Sequence, residues 1–164
     1  MGVYDRILLP TDGSEGTGRV VDHAEELARV HGAEIHALYV IDVTSFTGLP
    51  IETSWEGIRT VLEEESESAL EAVERQVDDV PVETTTVEGT PSREIVRFAT
   101  EQAVDAVVMG THGRGGIDRL LLGSVAERVV RGAPVPVVTV TVSETTAVDD
   151  EPEGATEPAT PGPG

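Results

Sequence analysis

The sequence predicts an α/β domain in which five parallel strands form an open, doubly wound sheet with helices on both faces. One pattern in the sequence predicts this fold. Short apolar segments alternate along the chain with longer segments whose apolar residues recur every three or four positions. Strands that alternate with helices form parallel sheets covered on both faces. The chain has 164 residues and no cysteine, which is long enough for one domain to bury a core without disulfide bonds.

Five short segments rich in apolar and β-branched residues are the predicted strands. In chain order they are residues 6–10 (RILLP), 34–41 (EIHALYVI), 82–87 (VETTTV), 106–109 (AVVM) and 137–142 (VVTVTV). The first ends at a proline, and the turn-forming sequence TDGSEGTG follows it. The third alternates valine with polar residues, so we expect one of its faces to be wetter.

Four helices are predicted between these strands, each from apolar residues at helical spacing. Their apolar positions are Val20, Val21, Ala24, Leu27 and Ala28; Ile58, Leu62, Ala69, Val73 and Val77; Ile95, Ala99 and Ala103; and Val125, Val129 and Val130. Gly32 follows the first helix and Pro91 begins the third, which are typical stop and start signals. Residues 42–54, before the second helix, are predicted to form a longer loop.

The net charge of −20 excludes several classes of partner. All 11 basic residues are arginine, and so acidic a surface repels the phosphates of nucleic acids and of anionic lipids. A lysine-free, carboxylate-rich chain suits a salt-rich cytoplasm, so we expect a halophilic protein of haloarchaeal origin. The chain begins without a signal-peptide pattern and has no apolar run near the ~18 residues of a membrane helix. We therefore expect a soluble, cytoplasmic protein without a membrane partner.

The composition changes near residue 143. Residues 143–164 contain repeated proline and glycine, six acidic residues and no basic residue, which is typical of disorder. We expect a folded domain over residues 1–142, which carries −14 of the charge, and a disordered acidic tail over residues 143–164.

A glycine-rich segment, GTHGRGGIDRLLLGSVAERVV, begins at Gly110 and turns into a helical pattern after Gly123. Ligands of open α/β sheets bind beyond the carboxyl ends of the strands, where this segment lies together with the loops after the first and second strands. A nucleotide P-loop is impossible without lysine. Glycines followed by Ser124 at a helix start could still bind phosphates through backbone N–H groups. A tight structural turn is the alternative, which the sequence leaves open.

At these residues the chain resembles the universal stress protein family. The spacing G-x2-G-x9-G-[ST], formed here by Gly110, Gly113, Gly123 and Ser124, matches the ATP-binding branch of that family, as do ILLPTDGSE near the start and APVPVVTV near the end. The resemblance covers roughly residues 3 to 142. It implies a Rossmann-like fold, similar to that of the adenine nucleotide α-hydrolases.

The resemblance also implies a nucleotide site. Pro10, Thr11 and Asp12 would border the adenosine, with Asp12 on the ribose hydroxyls, and the backbone of Val40 would meet the adenine. The segment from Gly110 to Val125 would hold the phosphates, with Gly110, Gly113, Arg114, Gly123, Ser124 and Val125 as its binding residues. Met109 is a further residue of the implied nucleotide site.

Several of these residues have plainer interpretations. Asp12 could be a turn or cap residue, and Ser124 is a good helix N-cap with or without a phosphate. His112 is more simply a polar loop residue. Arg114 and Arg119 could pair with nearby carboxylates instead of phosphates.

The resulting prediction is an ATP-binding stress-response protein that acts as a nucleotide-dependent sensor or switch, with Mg²⁺ accompanying the triphosphate. No catalytic residue is evident, so we expect at most slow hydrolysis or autophosphorylation. The alternatives are a nucleotide-using transferase or ligase, and a structural dimeric partner whose loop is empty. We also expect a homodimer joined through the strand that begins at Val137 and ends at Val142, because that strand is uncharged and should lie at a sheet edge.

Overall fold

The computed structural model describes residues 2–43, 55–111 and 122–142, in which five strands and four helices alternate. The strands are β1 (Arg6–Pro10), β2 (Glu34–Asp42), β3 (Val82–Gly89), β4 (Ala106–Gly110) and β5 (Val137–Val140). The helices are α1 (Thr17–His31), α2 (Trp55–Gln76), α3 (Pro91–Glu101) and α4 (Ser124–Gly132). The predicted tail and the predicted loop before α2 lie outside the described residues, apart from Asp42 and Val43 at the start of that loop.

All neighbouring strands of the sheet are parallel, in the order β3-β2-β1-β4-β5. Helices α1 and α2 pack into one hydrophobic cluster on one face of the sheet, and α3 and α4 pack into a second cluster on the other face. The predicted doubly wound α/β fold is confirmed. The order in which successive strands join the sheet reverses between β1 and β4, at the centre of the sheet.

The central strand β1 shows how alternation builds the two clusters. Ile7 and Leu9 belong to the cluster under α1 and α2, whereas Leu8 belongs to the cluster under α3 and α4. All three side chains have no exposed surface, because successive side chains of a strand point to opposite faces and both faces are covered.

Helix α3 ends earlier than its apolar spacing predicts. Ala103 was expected on its buried face, but the helix stops at Glu101 and Ala103 is exposed. The φ angle of Ala103 is 55°, and the N–H of Val104 donates to the carbonyl of Ala99 at 3.4 Å. This left-handed ending satisfies a terminal carbonyl and redirects the chain into β4.

Two predictions near the end of the domain also need correction. Strand β5 ends at Val140 and does not continue to Val142, because its partner β4 ends at Gly110. Val142 instead packs against the first cluster and approaches Gly16, where an added Cβ would lie 2.8 Å from the Val142 Cβ. On α4, Val130 is 45 % exposed; the predicted Val129 is buried, together with Ala126.

The edge strand β3 is linked to its neighbours by side chains. His36 of β2 is buried and places Nε2 2.8 Å from Thr85 Oγ1, while its Nδ1 lies 3.5 Å from Glu83 Oε1. Ser66 of α2 shares a 2.9 Å hydrogen bond with Thr86. Thr85 and Thr86 are successive residues and point to opposite faces, so this strand carries polar contacts on both faces.

Among the described helices, none combines the length and the apolar character that a membrane crossing requires.

Candidate functional site

A crevice opens at the carboxyl end of the sheet between its two central strands. The pairing of β1 with β4 ends at Leu8 and Val107, whereas β1 continues beside β2 to Pro10 and β4 continues beside β5 to Gly110. Pro10 has no N–H to extend the ladder. The two strands therefore part where the strand order reverses, which is the usual ligand position in open α/β sheets.

The loop after β1 forms one wall of this crevice and is held by its own side chains. The N–H of Thr11 donates to the Leu38 carbonyl at 2.9 Å, and Thr11 Oγ1 accepts from the N–H of Gly13 at 3.1 Å. Asp12 Oδ1 accepts from the N–H of Ser14 at 2.9 Å. The turn role that the sequence left open for Asp12 is therefore present, and the loop is preorganised.

The segment after β4 forms the opposite wall. Thr111 is buried, and its N–H donates to the Val140 carbonyl at 2.9 Å. The carbonyl of Thr111 accepts from the N–H of Gly123 at 2.6 Å. This hydrogen bond joins the two ends of the glycine-rich loop. Thr111 was not among the predicted residues, because a threonine after a strand gives no signal that its backbone anchors a loop.

Part of the predicted phosphate site lies outside the described residues. Gly113 and Arg114, with His112 and Arg119, belong to residues 112–121. The structure places the other predicted residues of this segment, Gly110, Gly123, Ser124 and Val125, at the end of β4 and the start of α4.

Helix α4 begins with backbone donors that have no acceptor within the helix. Gly123 is its N-cap and Ser124 its first helical residue, so the alternative that Ser124 is the N-cap is wrong. The helix has no side-chain cap, and its first internal hydrogen bond runs from the N–H of Glu127 to the Gly123 carbonyl. The N–H groups of the preceding three residues have no carbonyl acceptor within the helix, and the helix dipole adds positive potential there.

The backbone at Gly123 does not itself require glycine. Its φ of −74° and ψ of 172° are extended values that any residue adopts. A tight turn with positive φ therefore does not explain the glycine at this position. Glycine is accepted at a helix N-cap, and it also lets another group approach the main chain closely.

Three further predicted residues pack their side chains against the core. Met109 is buried in the cluster under α3 and α4, and the side chains of Val40 and Val125 pack against the same cluster. The side chain of Met109 is buried, whereas those of Val40 and Val125 are partly buried. The resemblance implied a backbone role for Val40.

Comparisons with known proteins agree with this architecture. The family model described as universal stress protein family matches residues 3–141. A universal stress protein of Methanocaldococcus jannaschii is 45 % identical over 140 residues, which cover 84 % of this chain and 82 % of that protein.

Solved structures show the same fold. That of a second universal stress protein of M. jannaschii is 31 % identical, covers 84 % of this chain and 96 % of its own, and has a TM-score of 0.75. A universal stress protein crystallised in complex with cAMP is 23 % identical, covers 85 % of this chain and 99 % of its own, and has a TM-score of 0.66.

Proposed function

The chain belongs to the universal stress protein family, and from this premise we propose that it binds an adenine nucleotide, ATP first of all, in the crevice between β1 and β4. Binding would make it a nucleotide-dependent sensor or switch of a cytoplasmic stress response. The observation that carries the proposal is the glycine at the α4 N-cap, whose extended backbone gives no conformational reason for glycine.

The phosphates would lie at the start of α4. The N–H groups of Ser124, Val125 and Ala126 are donors without a helical acceptor, and such a terminus binds anions through these groups and its dipole. The absence of a side chain at Gly123 lets a phosphate approach this backbone. Gly113 and Arg114 would complete the site from the loop.

The nucleoside would lie beside the loop after β1. Asp12 is partly exposed there, and a carboxylate can accept bonds from ribose hydroxyls while one oxygen holds a turn. The adenine would meet the backbone at Val40, on the neighbouring strand β2. Adenine-nucleotide binding also suits the fold that this chain shares with the protein crystallised with cAMP.

A divalent cation such as Mg²⁺ would accompany the triphosphate. Residues 1–142 carry a net charge of −14, and further phosphate charge raises the electrostatic cost of binding unless a cation accompanies it. Asp12 is the described carboxylate at the crevice that could lie near this ion.

We further propose that the protein is a homodimer that pairs β5 with β5 of a second copy. Within the described residues β5 pairs with β4 on one side, and it ends the strand order. Two copies related by a two-fold axis would satisfy both edges and close the assembly.

Calorimetry on two variants of α4 tests the nucleotide site. Gly123→Val should weaken ATP binding by at least about tenfold, because Val fits the backbone but fills the space before the helix N-terminus. Gly132→Val, at the opposite end of the same helix, is the matched control and should leave the affinity unchanged. A folded Gly123→Val protein with unaltered ATP affinity would overturn the proposal.

A further inference from the structure

The end of β5 contacts both walls of the crevice between β1 and β4. On one side, the Val140 carbonyl accepts from the N–H of Thr111, whose own carbonyl accepts from the N–H of Gly123 at the start of α4. On the other side, Val142 lies against Gly16, the N-cap of α1, which ends the loop after β1. The short segment at the end of β5 therefore connects the two elements that would hold the nucleotide.

The contact between Val142 and Gly16 is closer than a side chain on Gly16 would allow. An added Cβ at Gly16 would lie 2.8 Å from the Val142 Cβ and 3.3 Å from its Cγ1, inside the ~3.5–4.0 Å of ordinary carbon contacts. The φ of Gly16 is 92°, a left-handed value that favours glycine. The loop after β1 thus rests directly on Val142, whose side chain sets how closely this wall approaches β5.

Hydrogen bonds within the loop after β1 connect Gly16 to Asp12. The N–H and the hydroxyl of Thr17 both donate to the Ser14 carbonyl, at 3.2 and 2.6 Å. The N–H of Ser14 donates to Asp12 Oδ1 at 2.9 Å. Gly16 lies within the turn that these bonds close. Because bonded and packed groups transmit a displacement to one another, a shift at Gly16 should move the Asp12 carboxylate.

We propose that Val142 is a positioning residue of the nucleotide site. Through Gly16 it fixes the loop that carries Asp12, while the nearby Val140 carbonyl fixes the opposite wall through Thr111. A nucleotide that spans the crevice contacts both walls, so its affinity depends on their separation, and walls fixed in advance lower the ordering cost of binding. This role rests on the proposed nucleotide binding and requires no contact between Val142 and the ligand.

NMR of the ligand-free protein tests the positioning without any nucleotide. Val142→Ala should shift the backbone amide signals of Ser14 and Gly16. Val138→Ala is the matched control, because it removes the same methyl groups from a second partly buried valine of the same cluster, beside Val108 in the middle of β4. The control should leave both signals unchanged. Equal shifts in the two variants, or no shift in Val142→Ala, would overturn the proposal.

Calorimetry with ATP on the same variants measures the consequence for binding. Val142→Ala should raise the Kd about threefold or more, the usual size of an effect transmitted by packing. Val138→Ala should leave the Kd unchanged, and Val142→Thr, which keeps the branched shape, should bind like the unaltered protein. ATP binding that is insensitive to Val142→Ala would overturn this role alone. Failure of the unaltered protein to bind any adenine nucleotide would overturn the proposed function as well.

A double variant separates the contact from a general loss of packing. Gly16→Ala places a Cβ against Val142 and should weaken ATP binding. Addition of Val142→Gly removes the opposing side chain, so the double variant should recover part of the lost affinity. Both proteins carry alanine at the same left-handed φ, and the backbone strain there cancels in the comparison. A double variant that binds ATP no better than Gly16→Ala would show that Val142 does not act through Gly16.

Discussion

The two edges of the sheet differ in charge and in side-chain contacts. At one edge β3 carries Glu83 and Glu88, and its threonines bond to His36 and Ser66 on neighbouring elements. At the other edge β5 reads VVTV, without a charged residue. Charged residues on an edge strand oppose pairing with another strand. The edge at β3 is therefore protected against association with another strand, whereas the edge at β5 is suited to it.

The hydrogen bonds of β5 identify which backbone groups face the free edge. The Pro136 carbonyl accepts from the N–H of Val107, and the Val140 carbonyl accepts from the N–H of Thr111. In parallel pairing such contacts alternate along a strand. The N–H of Val138 therefore points toward β4, and the N–H of Thr139 points toward the edge where a second copy would pair.

The largest expected effect comes from proline at these two positions. Thr139→Pro removes an outward N–H and should convert the dimer into a folded monomer, because proline is tolerated on the free side of edge strands. Val138→Pro removes an N–H that bonds to β4 and should lower the free energy of unfolding by about 1–3 kcal/mol. Analytical ultracentrifugation and chemical denaturation measure the two outcomes.

A dimeric, folded Thr139→Pro protein would contradict pairing through β5. So would an unaltered protein that is monomeric at micromolar concentration in molar salt.

Salt should strengthen association through the β5 edge. Two copies that each carry −14 over residues 1–142 repel one another, while the uncharged β5 edge gains nothing from screening. Raising the salt from dilute buffer to 1 M shortens the Debye length to about 3 Å, so association should tighten by about tenfold or more. Sedimentation at several salt concentrations measures this change. Tighter association in dilute buffer than in 1 M salt would contradict the expected effect of charge screening.

Melting the monomeric Thr139→Pro protein isolates the effect of salt on folding. Its melting temperature should rise with salt, because repulsion within the acidic domain is also screened. An unchanged melting temperature between dilute buffer and molar salt would rule out the expected halophilic behaviour.

The β3 edge should respond to pH through His36. Burial lowers the pKa of His36 below 6.5; Glu83 on β3 and Glu34 on β2 oppose this shift, and Arg6 on β1 adds to it. The Phe98 ring of α3 covers the imidazole at a centroid distance of 4.7 Å. The folded state therefore favours the neutral ring.

Because the unfolded chain binds a proton more readily, stability should fall as the pH drops below 6.5 toward the lowered pKa of His36. His36→Gln keeps a donor for Thr85 but does not titrate, so its stability should fall less across this range. Denaturation curves of both proteins between pH 7.5 and 5.5 make the comparison. An identical fall in the variant would show that His36 does not contribute.

The smallest expected effect concerns the ion pair between Arg59 of α2 and Glu88 of β3. Both side chains are more than one-third exposed, so Glu88→Gln should cost about 0.5 kcal/mol or less, and less still at high salt. Glu63→Gln, which removes the other partner of Arg59 at 3.4 Å, is the matched control on the helix side. A loss above about 2 kcal/mol for Glu88→Gln would mean that the pair does more than protect the edge.

The sequence predicted the alternation of strands and helices because periodicity is a local property. It did not predict where elements end, because contacts between distant residues and the local backbone conformation determine those ends. The end of β5 depends on where β4 ends and on the contact of Val142 with Gly16, and the end of α3 depends on a left-handed turn at Ala103, a residue type that seldom adopts one.

At the candidate site, the motif predicted which elements meet but not how the backbone is arranged. That Gly123 caps α4 in an extended conformation, and that Thr111 is buried behind it, follow from the meeting of β4 with α4. Neither the cap role of Gly123 nor the buried position of Thr111 can be predicted from the residue type. Serine is the more common cap, and threonine is common in loops.

The hydrogen bond between Gly123 and Thr111 also bears on how such a domain can diverge during evolution. It fixes both ends of residues 112–122 on rigid elements, so the cost of closing this segment grows slowly, by about 0.6 kcal/mol for each doubling of its length. Insertions, deletions or wholesale replacement between these anchors should leave the sheet and α4 intact. Ligand preference could then change by exchange of one cassette, and a loop grafted from a relative is the natural way to re-engineer this domain.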